Sequence, residues 1–203
     1  MLEIMSQPIV NVITGQEVMA EYLSRPSCSL KDYFSTKDRN VLIRRELHAI
    51  LQSIEESKGM PYNVNVTLYT LPFVSKLPFM NWSGGIEIVE WETSISPYFK
   101  QTRISIRDLQ VRGLFVWADD ITADTIDMWL RTGVNGFKVE IDEITKDFKF
   151  LNELKETKKP IIVERIETKE QHEWIKSKGI TLAQGFYYGM PQKIGKKVSL
   201  QTG

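Results

Sequence analysis

Four short apolar runs in this chain each carry a charged group where a strand would bury it. They are Ile86-Glu87-Ile88-Val89, Phe115-Val116-Trp117-Ala118-Asp119-Asp120, Gly136-Phe137-Lys138-Val139 and Ile161-Ile162-Val163-Glu164. Successive side chains of a strand point to opposite faces. Ile86 and Ile88 therefore share one face while Glu87 takes the other, and Phe137 and Val139 leave Lys138 facing away from them. A buried charge is costly unless it is paired or holds a metal. Paying that cost on several strands at once points to one shared polar site.

The runs recur within an alternating pattern. Residues 8–12 and 17–22 read as strands joined at Thr14-Gly15, a hairpin-compatible turn. Residues 38–57 carry apolar side chains at Val41, Leu42, Leu47, Ile50, Leu51 and Ile54, a helical spacing. Further strands are expected at 64–68, 86–89, 114–118, 136–139, 161–163 and 181–183. Helices are expected at 96–112, 123–131, 144–156 and 169–178, the last stopping at Gly179. About eight strands alternating with helices argue for parallel strands, helical crossovers and a closed (β/α)8 barrel. The opening hairpin makes the first strand antiparallel. Residues 1–203 are expected to form one domain with a loosely held tail from about 193.

Bulk properties exclude several classes of function. Basic and acidic residues balance at 26 each, so no general attraction to a nucleic acid polymer or an anionic membrane is expected. No apolar run approaches the roughly 20 residues that span a bilayer, and the start lacks the form of a secretory signal. A single Cys28 excludes an internal disulfide and fits a reducing compartment. The expected location is the cytoplasm. Barrel active sites form at the carboxyl ends of the strands. Those ends present Glu21, Asn65, Glu87, Asp119, Asp120, Lys138, Glu164 and Gln184. Such oxygen ligands suit magnesium or manganese, whereas zinc favours His or Cys. His48 and His172, the only histidines, fall within expected helices.

These motifs resemble an EAL domain. Gln7-Pro8-Ile9-Val10, Gly15 and Glu21-Tyr22-Leu23-Ser24-Arg25 resemble its opening, with Tyr22 in place of the signature Ala. Asn63-Val64-Asn65-Val66-Thr67 resembles its Asn-containing strand, and Glu87-Ile88-Val89-Glu90 its Glu-x-Thr-Glu motif. Asp119-Asp120-Ile121-Thr122, Lys138-Val139-Glu140, Glu164-Arg165-Ile166-Glu167-Thr168 and Gln184-Gly185-Phe186-Tyr187 follow in the family's order. The resemblance implies a barrel that binds the second messenger cyclic di-GMP and, in active members, hydrolyses it to linear pGpG with two Mg2+ or Mn2+ ions. It implies that Glu21, Asn65, Glu87 and Asp119 hold one metal and Asp120 a second, with Glu164 supporting the metal site. Lys138 would orient or deprotonate the attacking water, and Gln184 would position a metal-bound water. Gln7, Leu23 and Arg25 match positions that contact the nucleotide, and Glu90 matches a loop anchor. A homodimer and a regulatory protein partner are compatible with it.

The sequence also departs from the family pattern. Ile121-Thr122-Ala123-Asp124 lacks the glycines of the family's loop, and with them the freedom to adopt positive φ. Arg165 stands where the family has Gly, and close spacing along the chain suggests trimmed outer helices. Three readings follow: a cyclic di-GMP phosphodiesterase, a catalytically inactive module that binds the dinucleotide or a protein, or an unrelated metal-dependent phosphoesterase on the same barrel. Plainer roles stay open for single residues. Asp119, Asp120 or Thr122 would serve equally as helix caps, and Glu87 and Lys138 as a buried ion pair.

Overall fold

The computed structural model describes residues 2–34, 36, 38–57, 61–78, 82–89 and 98–194. Glu90 and the tail from 195 onward lie outside the described residues. The chain opens on a long hairpin of β1 (Leu2–Asn11) and β2 (Glu17–Pro26). Its turn is set by Gly15 at φ +68 and by the Asn11 side chain, which accepts from the N–H groups of Ile13 and Thr14. The ladder runs from Leu2 opposite Pro26 to Val10 opposite Glu17, so the expected strands are the inner part of a longer pair.

Six strands then pair in parallel and in chain order: β3 (Tyr62–Thr67), β4 (Gly84–Val89), β5 (Phe115–Ala118), β6 (Gly136–Glu140), β7 (Ile161–Glu164) and β8 (Leu182–Gln184). β1 closes the ring by pairing antiparallel with both β2 and β8. The result is an eight-stranded barrel of (β/α)8 type with an antiparallel first strand. A two-residue β9 (Gln192–Lys193) pairs with β1 at Met5 and Ser6.

The helices are α1 (Leu30–Phe34), α2 (Arg39–Glu56), α3 (Leu71–Val74), α4 (Phe99–Val111), α5 (Ile126–Thr132), α6 (Ile141–Lys146), α7 (Phe148–Glu156) and α8 (Lys169–Ser177). Short polar residues set their starts. Asp38 accepts from the N–H groups of Asn40 and Val41 at the head of α2, and Thr168 with Gln171 forms a capping box on α8. Asp147 does the same for α7, which divides the expected helix 144–156 into α6 and α7. Between β3 and β4 the described helix is one turn, α3, where a barrel normally carries a full crossover helix.

Alternation along the strands sorts the side chains into two layers. Outward-facing Val64, Ile86, Ile88, Val116, Phe137, Val139 and Val163 join helix residues such as Ile50, Ile106, Trp129 and Leu154 in one large core. Tyr22, in the signature Ala position, belongs to this outer layer, stacked on Tyr62 with ring centroids 4.2 Å apart. The lower barrel interior is a separate apolar plug of Ile9, Trp117 and Ile162, with Met19, Phe115 and Leu182 against it. The Trp117 ring fits because its neighbours lack side chains. A Cβ on Gly136 would lie 2.4 Å from the ring, and one on Gly85 would lie 3.1 Å from the indole nitrogen. Above this plug the barrel interior turns polar.

Candidate functional site

Lys138 is the centre of the polar layer. It sits midway along β6 on the inward face, fully buried. Its Nζ lies 2.6 Å from Glu87, 2.8 Å from Glu164, 3.4 Å from Glu21 and 3.6 Å from Asp119. Four strands thus deliver four carboxylates to one ammonium. β4 brings Glu87 and β2 brings Glu21, while Asp119 and Glu164 come from the ends of β5 and β7.

Amides organise the carboxylates from behind. Glu21 accepts from Asn65 Nδ2 on one oxygen and from Gln184 Nε2 on the other, both at 2.6 Å. Gln184 also donates to Gln7 Oε1 at 3.3 Å, and Gln7 donates to the Gly189 carbonyl at 3.4 Å. Asn63 Nδ2 donates to Glu87 Oε1 at 2.9 Å. Asn63 went unassigned in the sequence. Its position two residues before Asn65 puts both on the inward face of β3, and that period-two signal would have found it.

The electrostatics follow from the crowding. Burial opposes the charge on Lys138, but the surrounding Asp119, Glu164, Glu21 and Glu87 drive its pKa well above the ordinary lysine value. It is therefore a fixed cation here, and a proton-accepting role requires further positive charge nearby. Glu21 stays below the usual carboxylate value: burial works against ionisation, and Lys138, Gln184 and Asn65 together outweigh it. Glu87 is pushed well up by burial and the Glu21 charge, despite Lys138. Glu164 is also pushed well up, chiefly by burial, and Asp119 and Asp120 are raised for the same first reason.

Five carboxylates thus share the site with one ammonium; fully ionised they would leave a surplus of four negative charges, which two divalent cations would balance. Oxygens suited to such cations are present. Asn65 Oδ1 and Gln184 Oε1 are buried with no hydrogen-bond donor, and Asp119 Oδ1 has the Lys138 ammonium at 3.6 Å; buried acceptors are rarely left unpaired. Asp119, Asp120 and Glu164 place oxygens within 4.8 Å of one another. The donor set, all carboxylate and amide oxygen, matches hard divalent cations.

Asp119 and Asp120 cap no helix: α5 begins at Ile126, and Thr122 and Thr125 bond each other across the preceding turn. Asp120, just before the altered loop, takes φ +48, a conformation Asp tolerates better than most residues. Arg165 also takes positive φ, at +57, and its exposed guanidinium pairs with Glu140 at 2.7 Å. Leu23 and Arg25 share the face of β2 that carries Glu21. With Asn65, Asp120, Leu42 and Glu46 they line a cleft of about 640 Å³ between the barrel mouth and α2. His48 is exposed, and His172 bonds the Tyr188 hydroxyl at 2.8 Å.

Among solved structures the fold matches EAL domains. An EAL domain protein from Listeria monocytogenes EGD-e is 15% identical, with a TM-score of 0.75 over 95% of this chain and 89% of that one. Klebsiella pneumoniae BlrP1, solved with calcium and cyclic di-GMP, is 20% identical with a TM-score of 0.79 over 96% of this chain. This chain spans 57% of the BlrP1 chain. The FimX EAL domain from Pseudomonas aeruginosa, bound to c-di-GMP, is 16% identical with a TM-score of 0.73 over 94% and 90%. No family model and no curated protein matches the sequence. The barrel is of the EAL type.

Proposed function

We propose that this chain is a metal-dependent phosphodiesterase that hydrolyses cyclic di-GMP to linear pGpG. The supporting observation is the convergence of Glu21, Glu87, Asp119 and Glu164 on Lys138, with Asp120 beside them and the unpaired amide oxygens of Asn65 and Gln184 among them. Cyclic di-GMP as substrate rests on EAL-type neighbours solved with that dinucleotide.

In this reading Glu21, Asn65, Glu87 and Asp119 would hold one Mg2+ or Mn2+ ion and Asp120 a second, with Glu164 supporting the metal site. Such ions supply an activated water and stabilise charge on the phosphoryl oxygens and the leaving alkoxide. The chain's own groups do the rest. Lys138 keeps the carboxylates from repelling one another and orients the attacking water. Gln184 holds Glu21 and presents its free Oε1 to water, with Gln7 behind it. Glu87 and Glu164, whose protons burial favours, would have to be ionised to serve as ligands. Arg25, a planar bidentate donor, meets a phosphate in the cleft that Leu23 helps to wall. Water adds to one phosphorus, the P–O3′ bond breaks, and the 3′ oxygen leaves as a hydroxyl.

Purified protein should convert cyclic di-GMP to pGpG with Mn2+ or Mg2+, read by chromatography. Glu21→Ala should lose at least about a hundredfold in rate, the scale of a lost electrostatic contact in a transition state. Unchanged hydrolysis in that variant would refute the site assignment. A second reading, a binding module without catalysis, is favoured by Arg165 and Glu140 paired beside Asp120 and by the Thr122–Thr125 turn. Dinucleotide binding without turnover would select it.

A further inference from the structure

A second charged layer lies over the Lys138 cluster. Glu140 ends β6 two residues beyond Lys138, so strand alternation turns its side chain to the same inward side, one step nearer the mouth. Arg165 follows β7 directly after Glu164, and its Nη2 meets Glu140 Oε1 at 2.7 Å. The ion pair therefore lies over the barrel mouth, and Asp120 follows the neighbouring strand β5. Burial raises the Asp120 pKa and Glu140 raises it further, while Lys138 and Arg165 pull it down. The Arg165 charge thus reaches the acidic layer.

Two observations set this arginine apart. Its backbone stands at φ +57, a conformation that bulky residues seldom adopt and glycine adopts freely. The next residue holds the bend: the Ile166 N–H donates to the Gln184 carbonyl at 3.1 Å, and the Ile166 carbonyl accepts from the Tyr187 N–H at 2.9 Å. Residues kept in such strained backbone cluster at functional sites. The second observation concerns the cations. Lys138 is fully buried against four carboxylates, so a phosphate cannot reach its ammonium. The Arg165 side chain is 70% exposed. Its ion pair is made through Nη2, and a guanidinium has five N–H donors, so others remain for a phosphoryl oxygen. Arg25, which meets a phosphate in the cleft, stands on β2, with β1 and β8 between it and β7. A cyclic dinucleotide carries two phosphates, and the one over the acids is left to Arg165.

We propose that Arg165 is a further catalytic residue, its guanidinium binding the oxygens of the phosphate under attack and stabilising the charge they gain. A planar fork suits phosphoryl oxygens better than a point charge does. This deepens the phosphodiesterase reading and rests on it for the reaction, whereas the phosphate contact can be measured without turnover.

The test uses the whole chain in Mn2+ with two substrates, cyclic di-GMP and bis(p-nitrophenyl) phosphate, a diester with a single phosphate. Arg165→Ala should lower kcat for both by about tenfold or more, short of the loss at a fully enclosed oxyanion donor because this site is open. Arg165→Gly, which suits the positive φ, should lose as much while melting no lower than the wild type, so the loss is not one of folding. Glu140→Gln breaks the ion pair and keeps the guanidinium, so most of the rate should survive. Equal losses in Glu140→Gln and Arg165→Ala would assign the effect to the pair and overturn the proposal. Unchanged kcat in Arg165→Ala would overturn it while leaving the phosphodiesterase intact. If the wild type hydrolyses neither ester, the enzymatic reading fails and equilibrium binding of cyclic di-GMP in EDTA decides the contact alone. Binding weakened about tenfold in Arg165→Ala and Arg165→Gly, the scale of a hydrogen bond to a charged group, then supports it. Equal affinity in the variants, or no binding by the wild type, overturns it.

Discussion

With Lys138 Nζ 2.6 Å from Glu87 and 2.8 Å from Glu164, removing the ammonium leaves buried carboxylates facing only one another. Lys138→Met should therefore lower stability by about 3–5 kcal/mol at pH 7.5, the cost of stripping one partner from a buried ionic cluster. Part of that loss should return at pH 5, where the carboxylates take up protons; equal losses at both pH values in urea unfolding would contradict the account. The wild type carries the same logic in weaker form. Glu87 and Glu164 have pKa values well above the ordinary 4.5, so the folded chain binds their protons more tightly than the unfolded chain does. Their stabilisation is complete below pH 4.5 and fades as pH rises through the elevated values. Glu21, whose pKa is lowered, contributes with the opposite sign. The two strongly raised groups outweigh it, so cation-free protein should become less stable as pH rises above the ordinary carboxylate value of 4.5. At this scale much of the site was legible in the sequence, because an acid or amide inside an apolar strand stands out. Asn63 was passed over because Asn65 two residues later already filled the matching position. The Arg165–Glu140 pair was out of reach, since Glu140 ends β6, Arg165 follows β7, and only folding brings them together.

The strands differ in what they give to the barrel interior, and Trp117 makes the strongest demand. Its ring fills the space that Gly85 and Gly136 leave open on β4 and β6. Gly136→Ala places a Cβ 2.4 Å from the ring and 2.9 Å from the Pro160 carbonyl, so β6 or the indole must shift. The expected cost is about 1–3 kcal/mol, typical of overpacking. Trp117→Phe in the same chain should recover part of it, and strict additivity in a double-mutant cycle would argue against this packing. The parallel strands were readable as apolar runs, and α2 and α8 were readable from periodicity and caps. The one-turn α3 and the two-residue β9 were not, because elements so short carry no periodic signal. The break between α6 and α7 was missed for another reason. Asp147 reads as a solvent-facing helix residue until its side chain is seen to accept from Lys149 and Phe150.

Across the whole molecule, an apolar plug closes one end of the barrel and an acidic layer with a cleft opens the other. The closed ring sets the distances among carboxylates that lie far apart in the chain, so site geometry and global stability are linked. Divalent cations that bind the ionised acids stabilise the folded state by mass action. Mn2+ should raise the melting temperature, and by more at pH 8 than at pH 5.5, because fewer protons must then be displaced. A pH-independent shift would place the ion elsewhere. The barrel's order was legible from the alternation of strands and helices, and the antiparallel closure from the opening hairpin. Whether the acidic layer performs chemistry is decided by one measurement: formation of pGpG from cyclic di-GMP by the purified chain in Mn2+, set against the same mixture in EDTA. The account predicts turnover in Mn2+ that stops in EDTA. Tight dinucleotide binding with no pGpG in either mixture would contradict it.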